Sequence, residues 1–250
     1  MSGALYYAMA IPDSCHLGKR VYKKLFQENA KLGPTDKRVL RDDVDTIVWQ
    51  YIFKSTTIPI QPYEDVEREY HEVALIQVNL KHSVRVMRLA EIVHRAIPYP
   101  LIVVFQSEYG CLISLAHKRF SQAEKGIIVA DDFQATGWLD LSAPDESQHQ
   151  FLTSLDVAGW PHTHFFAFYT ASMDRVVALN CSRLSGSFSL NGSAQATNRR
   201  ERLAKCHAIE GKITELRVAI RKEQQFNRQV EFNMNIKELE ARLTQIVATL

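Results

Sequence analysis

Near the start of the chain apolar residues recur at helical spacing, at Leu17, Val21, Leu25 and Phe26, until Gly33 and Pro34 interrupt them. This pattern predicts a helix over 17–29. A second helix is expected after Thr35, a residue type suited to N-capping, running to about Lys54. Its inner face would carry Val39, Leu40, Val44, Ile47, Val48, Tyr51 and Ile52, and Pro59 and Pro62 follow its end. The two helices would form an N-terminal helical layer.

From Tyr70 to Lys81 the pattern changes to alternation, with Val73, Leu75, Gln77 and Asn79 set against Ala74, Ile76, Val78 and Leu80, so a strand is expected. Ser83 can cap a helix carrying Val86, Met87, Ala90, Val93 and Ile97, which Pro98 and Pro100 stop. Leu101 to Gln106 is then a short buried-type strand, completing a strand–helix–strand unit. The turn Ser107 to Gly110 returns the chain as a hairpin over Cys111 to His117, and short strands are expected at Ile127–Ala130 and Gln134–Leu141. Helical spacing resumes over Gln148–Val157 and over Thr163–Leu184, the latter with Phe165, Phe166, Phe168 and Tyr169 and with Thr163 as its cap.

A connector over 185–196, containing Gly186, Asn191 and Gly192, separates this body from the C-terminal segment. There Leu203, Cys206, Ile209, Ile213, Leu216 and Ile220 form one helical stripe, and Leu239, Leu243, Ile246 and Leu250 form another out of phase with it. Either an antiparallel hairpin or one irregular long helix satisfies this, the hairpin being favoured. The expected fold class is α/β: a mixed β-sheet with flanking helices, an N-terminal helical layer, and a C-terminal helical hairpin or coiled-coil-like extension. The corresponding division is a core over 1–184, the connector, and an assembly element over 197–250. The stripe, above all Ile213, Leu216, Ile220, Leu239, Leu243 and Ile246, must be covered by the hairpin itself, by a second copy or by another subunit.

Composition narrows the class. With 250 residues, 46% hydrophobic and 23% charged, this is a folded globular chain. No apolar run approaches the roughly 20 residues that cross a bilayer, no export leader is recognisable, and Cys15, Cys111, Cys181 and Cys206 lie far apart. The expectation is a cytoplasmic protein with reduced thiols and no membrane partner.

The net charge of +2 is uninformative, but Lys19, Arg20, Lys23, Lys24, Lys31, Lys37, Arg38 and Arg41 crowd a stretch whose acids are Glu28 and Asp36. Lys19, Lys23 and Lys24, with His117, Lys118 and Arg119 beside Phe120, are the candidates for gripping nucleic-acid phosphates and stacking a base. A solvated helix face and a polar strand end are the commoner explanations.

Catalytic chemistry has one candidate. Glu64, Asp65, Glu67, Glu69 and Glu72 form an acidic approach to the first predicted strand, and Asn79 and Lys81 follow. A metal-dependent nuclease needs carboxylates for a divalent cation and a lysine two residues beyond a strand acid. Glu72 and Lys81 would carry that role, but the neutral Asn79 is a weak ligand. The pairs His162/His164 and Cys15/His16 lack the convergent partners of a zinc site, so no metal site is expected. No phosphate-binding glycine loop is present, and no cofactor is expected.

The segments IVWQYIFKSTTI (47–58), REYHEVALIQVNLK (68–81), LAEIVHRAIPYPLIVVF (89–105), LISLAHKRF (112–120) and KEQQFNRQVEFNMNIKELEARL (222–243) together resemble an uncharacterised bacterial domain-of-unknown-function family, family 4391. The IPYP and LAHKR segments carry the likeness most specifically. The resemblance implies an accessory protein encoded near helicases, DNA methyltransferases and restriction-like or defence genes, and supplies no catalytic residue. The function expected is a non-catalytic accessory subunit of an antiphage or restriction-like complex, docking a helicase/ATPase or methyltransferase partner. A divergent metal-dependent nuclease and a nucleic-acid-binding module are the alternatives.

Overall fold

The computed structural model describes residues 2–29, 32–124, 126–190 and 193–250; Lys31 of the basic stretch, with Asn191 and Gly192 of the connector, lies outside them. The chain divides into two compact units, Met1–Val176 and Val177–Leu250.

The first unit begins with α1 (Ser2–Met9), a 3-10 turn (Asp13–Cys15), β1 (His16–Val21), α2 (Lys23–Asn29), α3 (Pro34–Asp43) and β2 (Val44–Lys54). A small ribbon of β3 (Tyr63–Glu64) and β4 (Glu69–Tyr70) leads into β5 (Glu72–Leu80). Then come α4 (Val86–Ala96), β6 (Leu101–Ser107), β7 (Gly110–Phe120), β8 (Ile128–Ala135), α5 (Glu146–Ser154) and the start of α6 (Phe165–Ser185). The main sheet has the order β1-β2-β5-β6-β7-β8, antiparallel except for the parallel pair β5/β6 that α4 joins. The mixed α/β class is therefore as expected.

Alternation along β5 and β6 sends Ala74, Ile76, Val78, Leu101, Val103 and Phe105 to one face, where they pack with Phe26, Val39, Leu40, Leu89, Ala90 and Val93 of α2, α3 and α4. On the opposite face Phe168 of α6 lies 5.1 Å from Phe53 of β2. The buried Tyr169 hydroxyl donates toward the carbonyls of Leu101 (2.8 Å) and Ala116 (2.9 Å) and accepts from the Ala116 N–H (2.9 Å), tying α6 to β6 and β7.

The N-terminal helical layer is shorter than its periodicity suggested. Residues 16–21 form an edge strand, and the helix expected to reach Lys54 stops at Asp43. Its start is set by Pro34 in the first turn after Gly33, and Thr35 lies inside it. Residues 44–54 are β-branched and aromatic, and pair with both β1 and β5. Register shifts at Val44/Thr46 and at Trp49/Tyr51 put Val44, Ile47 and Trp49 on the α4 side, and Phe53 on the α6 side. Each bulge inserts one residue into the two-residue repeat, and the three-residue steps that result imitate a helix. In place of the two short strands expected over 127–141 there is one, β8, kinked where Asp132 takes φ 47° and ending at Ala135; beyond it Leu139 makes an isolated bridge to Cys111. In the first turn of α6 the side-chain acceptor is His164 Nδ1, bonded to the Ala167 N–H at 3.1 Å, rather than Thr163.

The second unit holds the end of α6, α7 (Ser193–Lys222) and α8 (Phe226–Val247). Val177 and Cys181 cluster with Leu203, so the last turns of α6 belong here. α7 and α8 form an antiparallel hairpin, held along its length by Arg217–Glu240 (2.9 Å) and by Arg202 donating to the Thr249 carbonyl (2.6 Å). Its core is Ile209, Ile213 and Ile236, with Leu216, Ile220, Leu239, Leu243 and Ile246 packed against them. Thus the six residues expected to offer a docking stripe are the hairpin's own seam. The two stripes differ in phase because the chain reverses between them, at Glu223, whose carboxylate accepts from the N–H groups of Gln224 and Gln225.

One position in the β6–β7 hairpin admits only glycine. Gly110 has φ 113°, and a Cβ there would lie 2.1 Å from the Leu139 carbonyl oxygen, which the Cys111 N–H already engages at 3.1 Å. Gly110→Ala is expected to cost more than about 1 kcal/mol in chemical denaturation. Gly211→Ala in α7, where nothing lies within 4 Å of a new Cβ, should instead add about 0.5–1 kcal/mol. Equal midpoints for the two variants would contradict this account.

Candidate functional site

The residues singled out for phosphate binding are for the most part sealed or engaged. Along β7, Ser114 and Lys118 face α4, and Lys118 is only 2% exposed. Its Nζ donates to the carbonyls of His94 and of Ile97, the latter at 2.7 Å, at the C-terminal end of α4. A helix end leaves such carbonyls without partners and carries partial negative charge, so a buried amine satisfies both demands. Burial pulls Lys118 down from the ordinary lysine range to about 7.

His117 points to the other face, where its Nδ1 lies 2.8 Å from the Tyr70 hydroxyl among Phe166 and Tyr169. Arg119 pairs with Asp131 at 2.8 Å. The His-Lys-Arg run therefore does not make the phosphate grip its composition suggested: strand alternation sends the first two side chains into opposite halves of the core. Lys23 donates to the carbonyls of Arg41 (3.3 Å) and Val44, again at a helix end. Lys19 is exposed on the edge strand β1 and Lys24 is exposed on α2. Charge on an edge strand discourages pairing with another chain, which accounts for Lys19 and Arg20 without a ligand.

Glu72 and Lys81 do not come together. They stand at opposite ends of β5, about 30 Å apart at the rise of an extended strand. Asn79 lies in a neutral chain of hydrogen bonds. The Tyr6 hydroxyl (2.7 Å) and the Gln50 amide (3.2 Å) donate to Gln77 Oε1, the Gln77 amide donates to Asn79 Oδ1 (2.7 Å), and the Asn79 amide donates to Thr46 Oγ1 (2.7 Å). Burial holds the Tyr6 hydroxyl above its ordinary range, so it stays protonated. Among the described residues no group of three or more His, Cys, Asp or Glu is placed to hold a metal ion. His94 Nε2 lies 3.1 Å from Ser114 Oγ, the spacing of a base and a nucleophile, but both side chains are inaccessible (0% and 1% exposed). Burial, then the Lys118 charge, keeps the His94 imidazole neutral.

An accessible groove lies at the start of β5, beneath the C-terminus of α4. Two adjoining cavities, of about 710 and 300 Å³, share Glu72, Pro98, Tyr99 and Ile128. Val21, Leu25 and Trp49 extend the lining toward β1, β2 and α2, Ile97 comes from the end of α4, and Ile127 precedes β8. The Trp49 indole N–H is buried without an acceptor. Tyr22, Leu25, Tyr99 and Ile127, all more than 40% exposed, lie on or next to the lining. Charges stand at its margins: Glu72, Glu69 with His71 at 2.9 Å, and Arg95.

Sequence reasoning missed this groove because its walls come from seven separate elements, β1, α2, β2, β4, β5, α4 and β8. A local signal does exist in Ile97-Pro98-Tyr99-Pro100, where two prolines end a helix and hold an aromatic residue at the surface. Lys118 also supports the groove from behind, since it fixes the carbonyls just before Pro98. Its lowered pKa sets the sign of a pH effect. Below about pH 7 both the folded and unfolded chains carry the proton, and the desolvation cost is felt in full. Above pH 7 only the unfolded chain carries it, so this contribution to stability rises with pH toward the unfolded value near 10.5. Lys118→Met should cost about 1–3 kcal/mol at pH 9, where two carbonyls lose a neutral donor, and should cost less at pH 6. Denaturation of both proteins at the two pH values measures this, and a pH-independent difference would show that Lys118 does not titrate in this window.

Among the described residues no helix is long and apolar enough to cross a membrane. No curated protein and no solved structure matches the chain. The family model described as Domain of unknown function (DUF4391) matches residues 9–243, a span that runs from the end of α1 through every strand of both sheets into α8. The chain therefore belongs to the DUF4391 family.

Proposed function

We propose that this protein is a non-catalytic accessory subunit that holds a partner protein in the groove beneath α4. The observation that carries the reading is the chemistry of that groove: an open apolar floor, exposed aromatic and aliphatic margins, and peripheral charges that do not converge on one point. Contiguous apolar surface rimmed by polar groups marks interaction sites, whereas a small-ligand site needs placed polar groups around an enclosed volume. Groups suited to catalysis are elsewhere engaged: Lys118 caps a helix, His94 and Ser114 are buried, and Asn79 bonds neutral partners, Gln77 and Thr46.

The groove, rather than the helical seam, is then the docking surface. The family resemblance points to the class of partner, a helicase/ATPase or a DNA methyltransferase of a restriction-like or antiphage complex in the bacterial cytoplasm. Affinity purification of the tagged chain from its host, with nuclease treatment, sizing and mass spectrometry, should give a stoichiometric protein of that class. Tyr99→Asp combined with Ile127→Asp should remove it while leaving the thermal transition in place. Cleavage of DNA by the purified chain with Mg²⁺, abolished by Glu72→Gln or by Lys81→Met, would overturn the non-catalytic reading.

A further inference from the structure

We infer that one flank of the α7–α8 hairpin binds the phosphate backbone of single-stranded nucleic acid, with Phe226 stacking on a base. The inference stands apart from the groove beneath α4, with which it shares no residue.

A cleft of about 440 Å³ lies between the two helices of the hairpin, over Ile220 and Ile236. Its charged lining is Arg217, Arg221, Lys237 and Glu240, three cations to one acid. Glu240 is taken by Arg217 at 2.9 Å, across the hairpin. The side chains of Arg221 and Lys237 have neither an ion pair nor a hydrogen bond among the described residues. Helical spacing explains this. Arg217 and Val218 stand one turn before Arg221, and Asn233, Met234, Glu240 and Ala241 stand one turn from Lys237, so Glu240 is the one acid at these neighbouring positions. Glu238 adjoins Lys237 in sequence but stands about 100° further round α8. Glu223, at the turn, accepts from the N–H groups of Gln224 and Gln225 and pairs with Arg228 at 3.7 Å.

Elsewhere on the surface cations are commonly matched: Arg41 by Asp42, Arg88 by Asp36, Arg119 by Asp131 and Lys212 by Glu215. Two unmatched cations in one cleft favour an anion there.

The α8 wall of the cleft continues toward the tip as apolar surface. Phe226, Val230, Asn233 and Lys237 follow at i, i+4, i+7 and i+11, on one face of α8, and Phe226 and Val230 are 74% and 41% exposed. Opposite them Arg217 and Arg221 share a face of α7, about 6 Å apart along its axis. Cations in a row beside an exposed aromatic ring match the chemistry of single-strand binding, in which the cations track phosphates and the ring stacks on an unpaired base of any kind. A duplex keeps its bases stacked on one another and offers Phe226 no free face, and a run of acidic side chains supplies charge but no ring.

With two free cations the contact is weak and sensitive to salt: the logarithm of the association constant should fall against that of salt concentration with a slope of about −1.4. Fluorescence polarisation of a labelled oligothymidylate about 16 nucleotides long, titrated with the full chain at several salt concentrations, measures it. Arg221→Glu with Lys237→Glu is expected to weaken binding about tenfold or more at low salt and to flatten the slope, whereas Arg221→Lys with Lys237→Arg keeps both. Phe226→Ala should weaken binding about fivefold or more and leave the slope unchanged. All three positions are exposed and outside the seam, so the thermal transition of each variant should be that of the unsubstituted chain.

Absence of binding at the lowest salt would overturn the inference, as would binding that survives the double charge reversal or that is lost instead on Lys19→Glu with Lys24→Glu in the first unit. If polyglutamate competes as well as the oligonucleotide and Phe226→Ala is silent, the cleft takes acidic polymers at large and the assignment to nucleic acid fails. None of these results bears on capture of a protein by the groove beneath α4, which Tyr99→Asp and Ile127→Asp test separately.

Discussion

The end of α4 is the constraint on which much of the first unit depends. α4 makes the crossover between the two parallel strands, so its C-terminus must lie close against the sheet, where water cannot reach its last carbonyls. An amine rising from β7 reaches the His94 and Ile97 carbonyls. That single side chain lets the helix end buried, and the next residues, Pro98 to Pro100, then turn the chain into β6. The groove follows from this arrangement, because the space beneath α4 is what remains when a helix stops before the strands on either side of it do.

Much of this fold was legible along the chain, and the parts that were not have specific causes. β5, α4, β6 and β7 were readable because each keeps one period for its whole length. β2 was not, because two bulges insert residues into its alternation and leave three-residue steps. The α7–α8 hairpin was readable from the phase of its stripes, while the fate of those stripes was not: periodicity identifies an apolar face but not what covers it.

The functional residues divide in the same way. The run His117-Lys118-Arg119 looked like a basic patch, because composition is blind to the side of a strand on which a residue stands. Once alternation is applied, the two halves of the core each take one of the first two residues, and only Arg119 reaches the surface, where it meets Asp131. The acids before β5 were visible as acids, and the structure places Glu72 at the margin of an apolar groove. Trp49, Ile97 and Ile128 had no shared signal, since each is an ordinary apolar residue of its own element.

The hydrogen-bond chain from Tyr6 through Gln77 and Asn79 to Thr46 has a direction. A phenol donates to an amide oxygen, and each amide then donates onward to the next acceptor. None of these groups gains or loses a proton near neutrality, so this row of side chains is electrically silent across the range in which cells vary their acidity. The side beneath α4 holds an amine that sits near its own midpoint there. The amide row and the amine thus hear acid differently: protonating Lys118 would loosen the helix end that roofs the groove while the amide row stays as it was.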